Sequence, residues 1–231
     1  MKANIYKILF GIVGAMAISS CAAVPGVDDD PIMRKLSWFS YINGDDMRPN
    51  CTAGAGENYR LVYNGIYTEQ LRIYQVGGKE NNFSVRVINA PDLSDISVAG
   101  GTDLLNPWRG LKKEKNISSD EIIKLTAAME NDGVFGSPAV GLRISSKGFF
   151  WTIAACHEGN FYFTALRWPG EKFENATFPA ALLALDESHI KVNQPRTVRA
   201  SNVVNQSQTS KKVEGFTLEV GKDGLVGIAR F

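Results

Sequence analysis

The sequence predicts an α+β fold in which antiparallel β-meanders pack against one or two helices, with one disulfide. Several short runs alternate apolar and other residues, which is the period of a strand, and glycine-containing turns separate them. Residues 118–133 instead carry the end signals of a helix. The chain has 231 residues, a length that suits one domain with a substantial core.

A first meander is predicted from three consecutive β-prone runs. Asn64 and Gly65 stand between the first two, and an Asn-Gly pair in this position is the strongest short hairpin signal. A second strand that begins only after Thr68 and Glu69 is the alternative, and it has a longer connection. The three runs are residues 59–63, 71–76 and 83–88.

Residues 89–117 are predicted to form a long loop, because prolines and a Gly-Gly pair interrupt them. Long structureless connections in compact domains are often functional. This one carries Trp108 and Arg109, and an exposed pair of these residue types suits a binding surface. They are the candidate binding residues, and the alternative is that Trp108 packs beneath its own loop against the core.

A helix is predicted to begin at Ser118 or Ser119. Ser118 and Glu121 have the spacing of a capping box, and acidic residues in a first turn favour the helix dipole. Residues 131–133, Asn-Asp-Gly, are typical of a left-handed helix end. Met129 belongs to the apolar face, so we interpret it as a core residue and not as a ligand.

A second meander is predicted from three runs in the second half of the chain. Its central run is almost entirely apolar, which is typical of a strand buried on both faces. Pro179 favours the first turn of a short helix that extends to Leu185. The three runs are Val140–Ile144, Phe149–Cys156 and Phe161–Arg167.

The end of the chain divides into a polar segment and a hairpin. Residues 193–212 are rich in Asn, Gln, Ser, Thr and Lys and predict a flexible excursion. Residues 213–231 predict a β-hairpin with its turn between Gly221 and Gly224. We assign this hairpin to the same domain as residues 36–192.

The first residues predict export. A basic start is followed by an uncharged run, Ile8–Ile18, which fits a secretory signal and is too short to span a bilayer. The run ends in Ile18-Ser19-Ser20-Cys21, which resembles the lipobox of bacterial lipoproteins. The alternative is an ordinary signal peptide in which Cys21 is incidental.

The resemblance implies a diacylglyceryl thioether on Cys21 and cleavage just before it. Residues 1–20 would then be removed, and residues 21–35 would form a lipidated tether. Its solvated part, residues 22–34, reaches about 40 Å at most when extended. The lipid bilayer is the partner that the acylated Cys21 implies. Ala22, after the cysteine, favours the outer membrane, with the domain facing the periplasm.

Cys51 and Cys156 are the two cysteines that remain after lipidation. Because an exported protein passes through an oxidising compartment, we predict a disulfide between them. One alternative is a reactive thiol at Cys156 beside His157, but neighbours on a strand point to opposite faces. The other alternative is two buried free thiols.

Charge and motifs limit the function. Lys2 and Lys7 leave with the signal, so Lys plus Arg falls from 25 to 23 against 24 acidic residues, without a basic block; this argues against nucleic acid. Neither a catalytic motif nor a metal or cofactor signature is recognisable. We expect a non-catalytic envelope lipoprotein that binds an unidentified envelope protein or ligand. The alternative is a periplasmic enzyme with a site near the Trp108 loop and the His157 turn.

Overall fold

The computed structural model describes residues 39–78, 80–89, 110–197 and 216–228. The strands are β1 Asn58–Gly65, β2 Gln70–Gly77, β3 Asn82–Asn89, β4 Leu111–Asn116, β5 Arg143–Ser145, β6 Phe149–His157, β7 Asn160–Trp168, β8 Thr217–Gly221 and β9 Gly224–Ile228. The helices are α1 Ser119–Asn131, α2 Glu171–Glu174 and α3 Phe178–Leu183. Residues 39–43 are also helical, and a 3-10 turn follows at Arg48–Asn50.

The strands form two antiparallel sheets, which confirms the predicted α+β class. The larger sheet has six strands in the order β4-β3-β2-β1-β6-β7, and the smaller has three in the order β5-β8-β9. The predicted first meander and the terminal hairpin are both present, as β1-β2-β3 and β8-β9.

The predicted second meander is wrong in one respect, because β5 does not pair with β6. Only Arg143 and Ile144 of that run are extended; they belong to the strand Arg143–Ser145, which pairs with β8. β6 instead pairs with β1, so that Leu61 lies opposite Ile153, and the two meanders merge into one sheet. Every residue of β6 is buried. A strand that is apolar on both faces is best covered in the interior of a sheet, between two long partners.

The Asn64–Gly65 pair is not the hairpin turn. β1 continues through both residues, and the chain turns at residues 66–69, as the longer alternative predicted. Asn64 is fully buried, and its side-chain amide donates to the carbonyl oxygens of Ser146 and Gly148 at 3.1 and 2.7 Å. Because these hydrogen bonds satisfy its amide group, Asn64 can lie in the interior of a strand.

Strand β4 lies within the segment that was predicted to be a loop, so that prediction is wrong for residues 111–116. Five of its six residues are exposed, with the sequence Leu-Lys-Lys-Glu-Lys-Asn. Because both faces of β4 are largely exposed, the strand needs no apolar alternation. Lysines on a strand at the end of the sheet hinder edge-to-edge aggregation. Gly110 leads into it at a φ of 66°, where a β-carbon would lie 2.3 Å from the carbonyl oxygen of Val87.

Helix α1 has the predicted boundaries. The Ser118 hydroxyl accepts from the Glu121 amide, and the Glu121 carboxylate accepts from the Ser118 amide, which completes the capping box. Gly133 follows the helix at a φ of 71°. Met129 is fully buried in the core, as predicted.

The six-stranded sheet has an apolar cluster on each face. Trp151 and the other odd-numbered residues of β6 up to Ala155 pack toward α1 and α3, and Trp151 is only 4% exposed. Phe150 and Ala154 belong to the opposite cluster, together with Leu218 of the smaller sheet. The two faces of β6 are therefore covered by different layers, the helices on one side and the smaller sheet on the other.

The predicted disulfide joins Cys51 and Cys156. Their α-carbons are 5.5 Å apart, within the range that a disulfide spans. The bond holds the segment before β1 against the end of β6, and this segment contributes to the site described next.

Candidate binding groove

Among the described residues, only part of the sheet face that looks away from α1 is covered. The apolar cluster with Leu218 and Val220 of β8 spans β6 and β7 on this face and extends to Val62 of β1 and Ile73 of β2. Toward β4, the same face carries polar side chains and forms an open groove of about 500 Å³. The groove therefore lies beside the described part of the second layer.

A polar row crosses the floor of the groove from β1 to β4. Arg60 lies opposite Gln75, Gln75 opposite Ser84, and Ser84 opposite Glu114. Directly opposed residues of neighbouring strands project from the same face. All four line the groove, so that four strands each present a polar group to it.

A second row carries two cations. Arg86 of β3 lies directly opposite Lys112 of β4, and both line the groove. Lys112 pairs with Glu114 at 2.5 Å, with side chains that are 45% and 53% exposed. Exposed pairs of this kind contribute at most about 1 kcal/mol, so Lys112 can exchange this partner at little cost.

The wall of the groove is formed by residues 39–50 and is fixed to the floor by Arg60. Its guanidinium donates to both carboxylate oxygens of Asp46, at 2.7 and 2.8 Å, and to the carbonyl oxygen of Tyr41 at 2.6 Å. The guanidinium also lies over the Tyr41 ring, with Arg60 Cζ 3.6 Å from the ring centroid. Arg60 is consequently 3% exposed, and it holds wall and floor together.

The charges at this wall are set by the same contacts. Burial acts to raise the pKa of Asp46, but the hydrogen bond and charge of Arg60 outweigh it, so this pKa is lowered. Burial raises the pKa of Tyr41 despite the opposing charges of Arg60 and Arg86. At neutral pH the wall therefore holds an ionised Asp46 and a protonated Tyr41.

A second cavity of about 410 Å³ adjoins the groove beside the disulfide, and Met47, Asn50, Asn58 and Gly78 line both cavities. The rest of its lining is the loop 51–56, with Cys156 beneath it. The disulfide thus fixes the outer end of the groove.

Gly77 permits the close approach of the chain at this end. It has a φ of 99°, and a β-carbon there would lie 1.9 Å from the carbonyl oxygen of Glu57. Since any other residue would force the two strands apart, the edge of the groove depends on this glycine.

The His157 turn lies on the helix face of the sheet and belongs to neither cavity. His157 Nδ1 is 2.9 Å from the Glu57 carboxylate, and its ring stacks on Phe135 with centroids 4.1 Å apart. The Tyr59 hydroxyl donates to the same carboxylate and lies 2.8 Å from Thr126 Oγ1. Burial raises the pKa of Tyr59, so this hydroxyl stays protonated.

The site residues predicted from sequence are only partly accounted for. Cys51 and Cys156 are bonded as predicted. Trp108, Arg109 and Cys21 lie outside the described residues, so the predicted binding surface and the lipidation remain predictions.

Sequence reasoning missed the residues of the groove. Arg60, Gln75, Ser84 and Arg86 are the polar members of strands that were correctly predicted. The available signal was that polar residues recur on one face of three consecutive strands. That pattern also fits a solvated sheet face, and only the wall from residues 39–50 turns the face into a groove.

Comparisons with protein-family models, with curated proteins and with solved structures found no match. Within residues 39–78, 80–89, 110–197 and 216–228, every helix is too short or too polar to span a bilayer. The described residues also contain no group of three or more His, Cys, Asp or Glu side chains placed to hold a metal ion.

Proposed function

We propose that the protein is a lipid-anchored lipoprotein of the bacterial envelope that binds a ligand in the sheet groove and does not catalyse a reaction. The lipobox-like residues up to Cys21 support the anchor, and Ala22 favours the outer membrane with the domain facing the periplasm. An envelope protein or a smaller envelope component would be the partner.

The polar row from Arg60 to Glu114 is the observation that carries the binding proposal. Ligand sites are concave and place a few polar groups at defined positions. Here four strands fix those positions, while Arg60 and the disulfide fix the wall. A site built on strands needs little rearrangement to bind, which favours affinity.

The charges of the groove favour binding over catalysis. A general acid or base works best with a pKa near the operating pH. The pKa of Asp46 is instead lowered, and this carboxylate accepts two hydrogen bonds from Arg60. Such a carboxylate is a poor proton acceptor and a good structural partner.

The second candidate function is an enzyme that uses His157. The Glu57 carboxylate is placed as in catalytic pairs, where it orients a histidine. However, His157 Nε2 lies 3.6 Å from Glu130 and the ring is covered by Phe135. Neither cavity described above reaches it. A hydrolytic activity that is lost in His157→Gln and retained in Lys112→Gln would favour this function instead.

The wall of the groove follows the proposed anchor closely in the sequence. Its lining residue Tyr41 comes only 20 residues after Cys21. Twenty extended residues span at most roughly 70 Å. A lipidated Cys21 would therefore keep the groove within roughly 70 Å of the membrane surface, within reach of ligands in the envelope.

Photocrosslinking in the native envelope tests this proposal. We expect a photoreactive amino acid at Gln75, on the groove floor, to give a defined adduct in membranes that contain the lipidated protein. The matched control is the same amino acid at Ile123, which is 63% exposed on α1. It should give no such adduct. Equal labelling from both positions, or none from Gln75, would argue against a ligand in the groove.

A further inference from the structure

The floor of the groove carries hydrogen-bonding groups that the described part of the chain leaves unused. Gln75 and Ser84 lie directly opposite each other on β2 and β3, are partly buried and line the groove. Within the described residues, neither side chain has a hydrogen-bond partner. An amide and a hydroxyl each donate and accept, so this pair offers a ligand both kinds of hydrogen bond.

Arg60 adds a buried donor beside Gln75. It is 3% exposed, and its Nε has no hydrogen-bond partner among the residues that the structure describes. Buried donors are normally satisfied, so this one marks a place where an acceptor oxygen is missing. The Gln75 side chain directly opposite is held by no described hydrogen bond. A small shift of that side chain would admit an acceptor oxygen from the groove.

The charges at the two ends of the polar row are paired within the protein. Asp46 accepts from both terminal nitrogens of Arg60. At the far end, Glu114 pairs with Lys112 at 2.5 Å. The centre of the row therefore offers hydrogen bonds and no charge, and a ligand that is recognised there needs hydrogen-bonding groups and no charge of its own.

The dimensions of the row favour an elongated ligand. The row crosses four neighbouring strands from Arg60 to Glu114. Since neighbouring strands are about 4.8 Å apart, its ends are roughly 14 Å apart. The groove above it has a volume of about 500 Å³, which is in the range of small-ligand sites. A chain of repeated polar units along the row would meet successive strands.

We propose that the groove binds an uncharged chain of hydroxyl-bearing units, the chemistry of an oligosaccharide, with Gln75 and Ser84 as its direct partners. This inference rests on the proposed function and adds the chemical class of the ligand to it. Sugar hydroxyls both donate and accept, so they match the amide and hydroxyl of the floor. A sugar oxygen would also supply the acceptor that Arg60 Nε lacks. Asn58 and Asn82 line the same groove and offer further amides.

Titration of the lipidated full-length protein in zwitterionic detergent micelles, followed by NMR of backbone and side-chain N–H groups, tests the inference. The probes are maltotriose, whose only donors are hydroxyls, and N,N′,N″-triacetylchitotriose, which carries acetamido groups as well. The test variants are Gln75→Leu and Ser84→Ala. The matched control is Ser119→Ala, which removes the same hydroxyl from an exposed position on α1, outside the described lining of the groove.

We expect at least one saccharide to shift the N–H signals of Gln75 and Arg60. Its affinity should change less than about twofold between low and high salt, because uncharged groups make the contacts. Gln75→Leu and Ser84→Ala should each weaken binding roughly threefold to tenfold, and Ser119→Ala should leave it within about twofold.

The contrary results are equally definite. Binding that falls steeply with salt, that is the same in all three variants, or that shifts signals outside the groove only would overturn the inference. If neither saccharide binds but the Gln75 crosslink is positive, the ligand class is wrong and the proposed function stands.

Discussion

Replacing Arg72 with alanine is expected to lower the free energy of unfolding by about 3–5 kcal/mol, the usual cost of breaking a buried ion pair. Arg72 is 1% exposed. Its guanidinium donates to Asp186 at 2.6 Å and to Gln70 Oε1 at 2.9 Å, and also to the carbonyl oxygen of Ile190. The substitution would leave the Asp186 carboxylate buried and unpaired, and would release residues 186–190 from β2.

Urea denaturation of three variants would check this expectation. The matched control is Arg143→Ala, because its pair with Glu219 lies at the surface, with the arginine side chain 65% exposed; it should cost less than about 1 kcal/mol. The double variant Arg72→Met, Asp186→Leu should lose less than Arg72→Ala, since no charge remains buried. A loss below about 1 kcal/mol in Arg72→Ala would contradict the structural role assigned to this residue.

The same ion pair predicts a pH dependence. Burial acts to raise the pKa of Asp186, but hydrogen bonds from Ser188 and Tyr74 and the charge of Arg72 outweigh it, so this pKa is lowered. Its contribution to stability is then complete above the ordinary aspartate value of about 4 and is lost as the pH falls through the lower folded value. The loss of stability on acidification should be smaller in Arg72→Ala than in the wild type.

Removing the disulfide is the second change with a large expected effect. Cys51 and Cys156 are 105 residues apart in the sequence, and closing a loop of about 100 residues contributes up to roughly 4–5 kcal/mol through the unfolded state. The double variant Cys51→Ala, Cys156→Ala should therefore unfold at a clearly lower denaturant concentration. The groove should also bind more weakly, because loop 51–56 is no longer fixed.

Reduction of the wild-type protein is the matched control for this variant. A reductant should lower the stability of the wild type toward that of the double variant and leave the double variant unchanged. Two free thiols in the native protein, or a loss below about 1 kcal/mol in the double variant, would show that the disulfide does not hold the domain together.

Local signals in the sequence were enough for most of the elements. Ser118 and Glu121 determine the start of α1 by their spacing, and the uniformly apolar run of β6 requires burial on both faces. Pairings between distant segments could not be predicted from such local signals. Nothing local distinguishes β1 from β5 as the neighbour of β6, because that choice depends on which partner is long enough to cover it.

Two further errors and one omission arose where tertiary contacts decide the structure. Asn64 has the composition of a turn residue, but the carbonyl groups of the turn at 146–148 supply acceptors that keep it inside a strand. The β4 residues lack apolar alternation because neither face of this strand is buried in the core. Arg60 resembles an ordinary strand residue, and only its contacts with Asp46 and Tyr41 make it part of a groove.

Mass spectrometry of the mature N-terminus tests the central claim, that the protein is a lipid-anchored envelope protein. The protein purified from membranes is predicted to begin at Cys21 and to carry the added mass of a diacylglyceryl group. Cys21→Ala should abolish lipid labelling and leave the uncleaved precursor, since the sulfur is the atom of attachment. An unmodified mature N-terminus at Ala22 or later in the wild type would contradict the claim.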